Sequence, residues 1–187
     1  MQRISRTFFT LMLATLTTVI LAAPRQALAA ADVAQIERDA TAALAKLYGT
    51  TPAAKVLGEK AKAILVFPSI LKAGLIIGGQ GGNGALFVDG KVVGFYNTAA
   101  ASYGLQAGAQ EFAYAMFLMT DAARETLKGN DGWEVGVGPS IVIVDEGVAK
   151  SLTTTTAKDD VYAFIFGQKG LMAGIGIQGS KITRIDP

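Results

Sequence analysis

Few side chains in this 187-residue chain are equipped for covalent chemistry, because it contains no cysteine and no histidine. That removes thiol nucleophiles, the usual serine–histidine triads and the commonest ligand of transition metals. Ser69-Ile70-Leu71-Lys72 keeps the S-x-x-K spacing, which on a helix sets an amine beside a hydroxyl. Pro68 and strand-like residues surround it, however, and no S-D-N or K-T-G partner motif accompanies it. A polar turn with a surface lysine is the expectation there. The carboxylate pairs are Asp145-Glu146 and Asp159-Asp160. Adjacent acids on a strand point to opposite faces, so neither pair makes a matched acid and base. No catalytic residue and no metal site is expected from these groups, and the chain reads as a non-enzyme.

Glycine supplies the next pattern. Gly79 to Gly84 and Gly174 to Gly179 both fit G-x-G-x-x-G. That motif binds a dinucleotide only when a helix follows directly and offers its N-terminus to the pyrophosphate. Gly84 instead leads into Ala85-Leu86-Phe87-Val88 and the hairpin signal Asp89-Gly90, and Gly179 lies close to the last residue. No cofactor is therefore expected. All 22 glycines lie from Gly49 onward, mostly among β-branched and aromatic residues. Glycine weakens a strand unless the sheet bends sharply or something approaches its backbone closely. The composition thus predicts a tightly curved sheet, or one with a small-residue face against a ligand or a packed helix.

The cations give a binding hypothesis. Lys62, Lys72, Lys169 and Lys181 fall at expected strand ends, with Arg184 nearby. A curled sheet would gather some of them into a patch suited to anionic head groups. Ordinary solubilising charge is the alternative.

The elements that must position these groups begin after an expected signal peptide. Met1 to Arg6 carry two arginines, Phe8 to Ala23 is an apolar run, and Ala27-Leu28-Ala29 fits a small-x-small cleavage site. Cleavage near Ala29 predicts an exported, periplasmic protein, peripheral on a membrane, with residues 30–187 as one domain. Removing Arg3, Arg6 and Arg25 from 17 basic residues leaves 14 against 15 acidic ones, a charge of −1. Nucleic-acid binding, which demands a strongly basic footprint, is not expected.

Val33, Ile36, Ala40, Ala43, Leu44 and Leu47 recur at helical spacing after Asp32, up to Gly49. Thr51-Pro52 opens a second helix running to about Lys60. Strands are expected at Ala63 to Phe67, Ala73 to Ile77, Ala85 to Val88 and Lys91 to Tyr96; the alanines of Leu105 to Met119 allow a helix, but its aromatic and methionine content favours a long strand. Gly78 to Gly84 reads as a bend, and Asn97 to Tyr103 as a small-residue loop. Thr120 or Asp121 caps a short helix to Lys128. Further strands are expected within Trp133 to Val144 and at Val161 to Phe166, Leu171 to Gln178 and Lys181 to Ile185. Phe67 to Leu75 is echoed weakly by Phe166 to Leu171. The fold expectation is α+β: a curved, mostly antiparallel, glycine-rich and barrel-like sheet with two N-terminal helices packed against it.

Lys62 to Pro68 followed by Lys72-Ala73-Gly74 resembles the opening block of the SYLF lipid-binding domain family. Ser102 to Gln110, Val135 to Pro139, Asp160 to Phe164 and Lys169 to Gly179 resemble its later blocks, in family order. The resemblance implies a lipid-binding module, with phosphoinositide binding in eukaryotic relatives and actin binding in some. It fits the stand-alone exported bacterial members, for which another anionic lipid is the expected ligand. It supplies no single-residue site. The functional expectation is a non-catalytic module that recognises anionic phospholipid head groups at the cell envelope. The alternative is a periplasmic assembly protein that binds a protein partner through sheet edges or a glycine-lined surface. The first helix offers its apolar face either to lipid or to the sheet.

Overall fold

The computed structural model describes residues 32–74, 77–103, 108–129, 131–144, 148–149, 152, 157–170 and 179–185. The expected signal segment, the strand expected at Leu171 to Gln178 and the pair Asp145-Glu146 lie outside these. The chain divides into two compact units, Met1–Gln35 with Pro187, and Ile36–Asp186. The sheet and its site belong to the second.

Residues 32–50 form α1, and Pro52–Gly58 form α2. Thr51 between them is extended, and Pro52 occupies the first helical turn, where its missing N–H costs nothing. Ala40 and Leu47 of α1, and Ala54 and Leu57 of α2, are buried in one cluster with Ile64, Val66, Phe117, Tyr162 and Phe164 of the sheet. A side chain such as Leu47 contributes about 1.5–3 kcal/mol when fully buried. The apolar face of α1 from Ile36 onward is thus used by the sheet, which decides between the two roles expected for it.

Eight strands follow: β1 Ala63–Gly74, β2 Ile77–Val88, β3 Lys91–Tyr103, β4 Gly108–Leu118, β5 Trp133–Glu134, β6 Ile141–Val144, β7 Val161–Gly170 and β8 Lys181–Ile185. Helix α3, Asp121–Thr126, lies between β4 and β5, and the Thr120 hydroxyl caps it by accepting from the Ala123 amide. The strand order is β5-β8-β3-β2-β1-β4-β7-β6. Every pair is antiparallel except β6 with β7. This is the expected α+β class, with both N-terminal helices on one face.

The sheet curls, because residues from all eight strands meet in a single second cluster. It joins Leu65, Tyr114 and Met116 at the centre to Trp133 and Ile182 near one rim and Val161 and Ile141 near the other. Ala123 and Leu127, from α3 and its C-terminal end, fill one end of this concave side. Two irregularities help the bend. The β1–β4 register shifts between Phe67 and Ile70, and the β4–β7 register shifts between Glu111 and Ala113. Gly167, at φ 66, accompanies the second. The echoed segments Phe67-Pro68 and Phe166-Gly167 are therefore bulges on the two neighbours of β4.

Two expectations need correction. Gly78 to Gly84 is not a bend but part of β2, and Asn97 to Tyr103 is not a loop but the second half of β3. The reason is packing above β2. A Cβ on Gly84 would stand 2.7 Å from Phe67 Cδ1, and one on Gly82 would stand 2.7 Å from Ile70 Cδ1. The Val66 and Ser69 carbonyl oxygens of β1 stand closer still, so backbone and side chains of β1 together leave no room for a side chain at these glycines. Pro68 does not end β1, because it sits at the bulge, where a ladder hydrogen bond is already missing. The Asp89-Gly90 hairpin forms as expected, with both residues at positive φ.

Candidate functional site

The sequence-predicted cations separate into two groups. Lys62 precedes β1 at the α3 end of the sheet, where its amide donates to the Leu118 carbonyl. Lys72 lies ten residues on, roughly 33 Å away for an extended strand. Lys72, Lys169 and Lys181 share the opposite, open end. Arg184 is nearer the middle, opposite Tyr96. Burial pushes the Tyr96 phenol up, while the positive charges of Arg184 and Lys128 pull it down. Lys62 and Arg184 therefore do not join the other three.

The register defines the open end. Lys181 of β8 pairs with Ala99, Ala99 with Gly81, Gly81 with Leu71, Leu71 with Glu111, and Glu111 with Lys169 of β7. Residues paired this way share a face. The row lies on the outer face, the one that α1 and α2 cover farther along. It carries a lysine at each end and Leu71, 60% exposed, between them. The next outer row holds Ala101, Gly79, Ala73 and Ala109, all exposed, and Ile77 beyond it is 71% exposed. Five strand spacings separate Lys169 from Lys181, about 24 Å along the sheet. That span is too wide for one head group and suits a surface.

The inner face at this end is polar. Lys72 pairs with Gln80 on one side and Gln110 on the other, and Lys72, Gln110, Thr98 and Ser180 are all buried. Gln80 Nε2 donates to Ser180 Oγ at 3.1 Å. Burial pushes the Tyr114 phenol well up, and the adjacent Thr98 hydroxyl offsets part of that rise. A cleft of about 530 Å³ elsewhere, between the α1–α2 junction and β6–β7, has no charged side chain among the described residues of its lining. Its described lining is mostly apolar, with Thr50 and Thr51 as the polar side chains.

Other candidate chemistry resolves into structure. Ser69 donates to Glu111 Oε1 at 2.8 Å and is exposed, whereas Lys72 is buried on the inner face, so the S-x-x-K pair does not assemble. No helix follows Gly84. Asp160 Oδ1 accepts from Thr120 Oγ1, and Oδ2 accepts from both the amide and hydroxyl of Ser140, each at 3.0 Å. These bonds, led by the Ser140 amide, hold its carboxyl below the usual range. The Tyr162 hydroxyl donates to Asp159 Oδ2 at 3.2 Å. Among the described residues no three His, Cys, Asp or Glu side chains form a cluster able to hold a metal, and no helix is long and apolar enough to cross a membrane.

Sequence reasoning missed Leu71, Ile77, Thr98, Gln110 and Tyr114. Leu71 was legible only through strand alternation, which turns it away from Ile70 and Lys72. The inner three carried no motif.

The fold and its surface define an α+β module with a curled glycine-rich sheet whose open end combines lysines and exposed apolar side chains. Residues 99–186 match the Ysc84 family, described as Las17-binding protein actin regulator, which is consistent with the SYLF resemblance of the sequence. No curated protein matches the chain. The matched span begins inside β3 and omits β1 and β2, the two central strands of the sheet.

Proposed function

We propose that this chain is a non-catalytic lipid-binding module that docks the open end of its sheet on an anionic membrane surface. The observation that carries the reading is the outer row Lys181–Ala99–Gly81–Leu71–Glu111–Lys169, with exposed Ile77 beyond it. Interfacial binding gains from buried apolar area together with attraction to anionic lipid. Each lysine near such a surface adds about 1 kcal/mol. The charge of −1 calculated for residues 30–187 gives no global attraction, so the local pairing of lysines with Leu71 has to supply it. The order of charged, apolar and small segments in residues 1–29 supports an exported protein working at the cell envelope.

Flotation of the full chain with vesicles tests this. Binding to phosphatidylglycerol vesicles, but not to phosphatidylcholine vesicles, and weakening with salt is expected. Equal binding to both, or to neither, sinks the reading. The family description, Las17-binding protein actin regulator, favours a protein-binding alternative. Sheet edges lend that alternative little, since β5 has two residues and β6 four. Recovery of one crosslinked protein partner without vesicle binding would favour it.

A further inference from the structure

The chain holds one Asn-Gly pair, Asn83-Gly84, and two Asp-Gly pairs, Asp89-Gly90 and Asp131-Gly132. Glycine has no side chain to shield its amide nitrogen. That nitrogen can attack the side-chain carbonyl carbon of the residue before it and close a five-membered imide. The attack requires a nitrogen open to approach and a peptide unit free to rotate. The fold grants both at one pair and withholds them at the other two.

Gly84 lies inside β2, beneath the Val66 carbonyl and the Phe67 ring, and the Asn83 side-chain oxygen accepts from Asn97 Nδ2 at 2.8 Å. Gly132 donates its N–H to the Gly129 carbonyl at 3.1 Å, and a Cβ added there would meet the Ile182 carbonyl oxygen of β8 at 2.5 Å. Asp89-Gly90 stands apart. Both residues are exposed, and nothing lies within 4 Å of a Cβ built on Gly90. Val88 pairs with Lys91, so the ladder closes outside the two-residue loop. Among the described residues, the Gly90 amide makes no backbone hydrogen bond and the Asp89 carboxyl no salt bridge. The peptide unit between them can turn without breaking a bond of the sheet.

We propose that Asp89-Gly90 is a modification site at which the chain spontaneously forms isoaspartate. The Gly90 nitrogen bonds to Asp89 Cγ, and the carboxyl OH leaves with the amide proton as water. Water then opens the imide at either carbonyl. One opening restores aspartate, and the other routes the main chain through Cγ with no net change in mass. No oxidant or cofactor takes part. The isomer adds a methylene to the loop. Asp89 and Gly90, at φ 50 and 74, form the tight turn whose twist matches β2 and β3, and a longer loop cannot keep it. The freed α-carboxylate is the group that an isoaspartyl carboxyl methyltransferase esterifies with the methyl of S-adenosylmethionine, so that class of repair enzyme is the partner the site would take.

The test ages the full chain for weeks in mildly acidic buffer, folded or unfolded in guanidinium chloride. Isoaspartate is then counted in each peptide by that methyl transfer and by mass spectrometry. In the folded chain the Asp89 peptide should accumulate about fivefold more than the Asp131 peptide, the factor that one hydrogen bond kept at the Gly132 amide accounts for. In denaturant the two should convert alike, because both are Asp-Gly pairs. Asp89→Asn keeps a turn-forming pair and loses ammonia, not water, to reach the same imide. It should convert faster than the parent in the folded chain, marked by a gain in mass, and Asp131→Asn should lag behind it. Equal conversion of Asp89 and Asp131 in the folded chain overturns the proposal, as does an Asp89 peptide that reacts only when unfolded.

Discussion

Thr98 on β3 and Tyr114 on β4 lie side by side across the concave face, although β2 and β1 stand between their strands. In a flat sheet three strand spacings would hold them about 14 Å apart. Their meeting measures the curl. The curl in turn depends on Gly82 and Gly84, over which Ile70 and Phe67 close.

Gly84→Ala is therefore expected to destabilise the domain by roughly 1–3 kcal/mol, the usual cost of overpacking a core. Gly79 sits on the exposed outer face, where the nearest atom to an added Cβ is 3.7 Å away. Gly79→Ala should be neutral or stabilising by up to about 1 kcal/mol. Urea denaturation midpoints of the two variants check this. Equal effects would show that the glycines of β2 are interchangeable and that the curl has another origin.

Leu71→Ser with Ile77→Ser should weaken vesicle binding about tenfold or more, since one buried leucine is worth roughly 1.5–3 kcal/mol. Both side chains are already solvent-exposed in the fold, so the thermal midpoint should hold. Flotation and a melting curve on the same sample separate the two effects. Unchanged flotation would remove the apolar half of the docking surface.

Lys169→Ala and Lys181→Ala should each cost about fivefold in binding to anionic vesicles at low salt. Lys62→Ala, at the far end of β1, should cost nothing. A salt titration of flotation compares all three. If Lys62 matters as much as the others, general electrostatics rather than the open end governs binding.

Asp160 predicts an acid limit. Its folded pKa is lowered by the Ser140 amide and then by the Thr120 and Ser140 hydroxyls. The stability it contributes is therefore complete above the unfolded value of about 3.9 and is lost as pH falls through the lower folded value. Asp160→Asn should flatten the decline in stability below about pH 4 while lowering stability at pH 7. Denaturation midpoints across that range check both signs, and an unchanged acid limb would clear Asp160 of the role.

Much of the architecture was legible in the sequence. Leu47 and its helical neighbours, the Asp89-Gly90 hairpin and the Thr120 cap each carry local signals, and all three appear where expected. Gly82 and Thr98 were misread because small and polar residues signal turns locally. Here long-range packing from β1 determines their state instead. The site was half legible. Lys72, Lys169 and Lys181 stood out by type, but only the register gathers them and leaves Lys62 behind. Thr98, Gln110 and Tyr114 are buried only once the sheet has curled.

Residues 99–186, expressed alone, should not fold. Without β1, β2 and the first eight residues of β3, strand β8 keeps only the Ala99 pairing of its contact with β3, and the order falls into a β5-β8 remnant and a separate β4-β7-β6 piece. A cooperative thermal transition from that fragment would contradict the topology described above.

The single tryptophan, Trp133, is buried on the two-residue rim strand β5, and its indole donates to the Val137 carbonyl at 3.0 Å. Among the described residues, β5 pairs in the sheet with β8 alone. Intrinsic fluorescence will thus register the docking of the C-terminal strand, not the assembly of the central hairpins. A refolding trace read at the indole should trail one read by circular dichroism, and the lag would time the final closure of the rim.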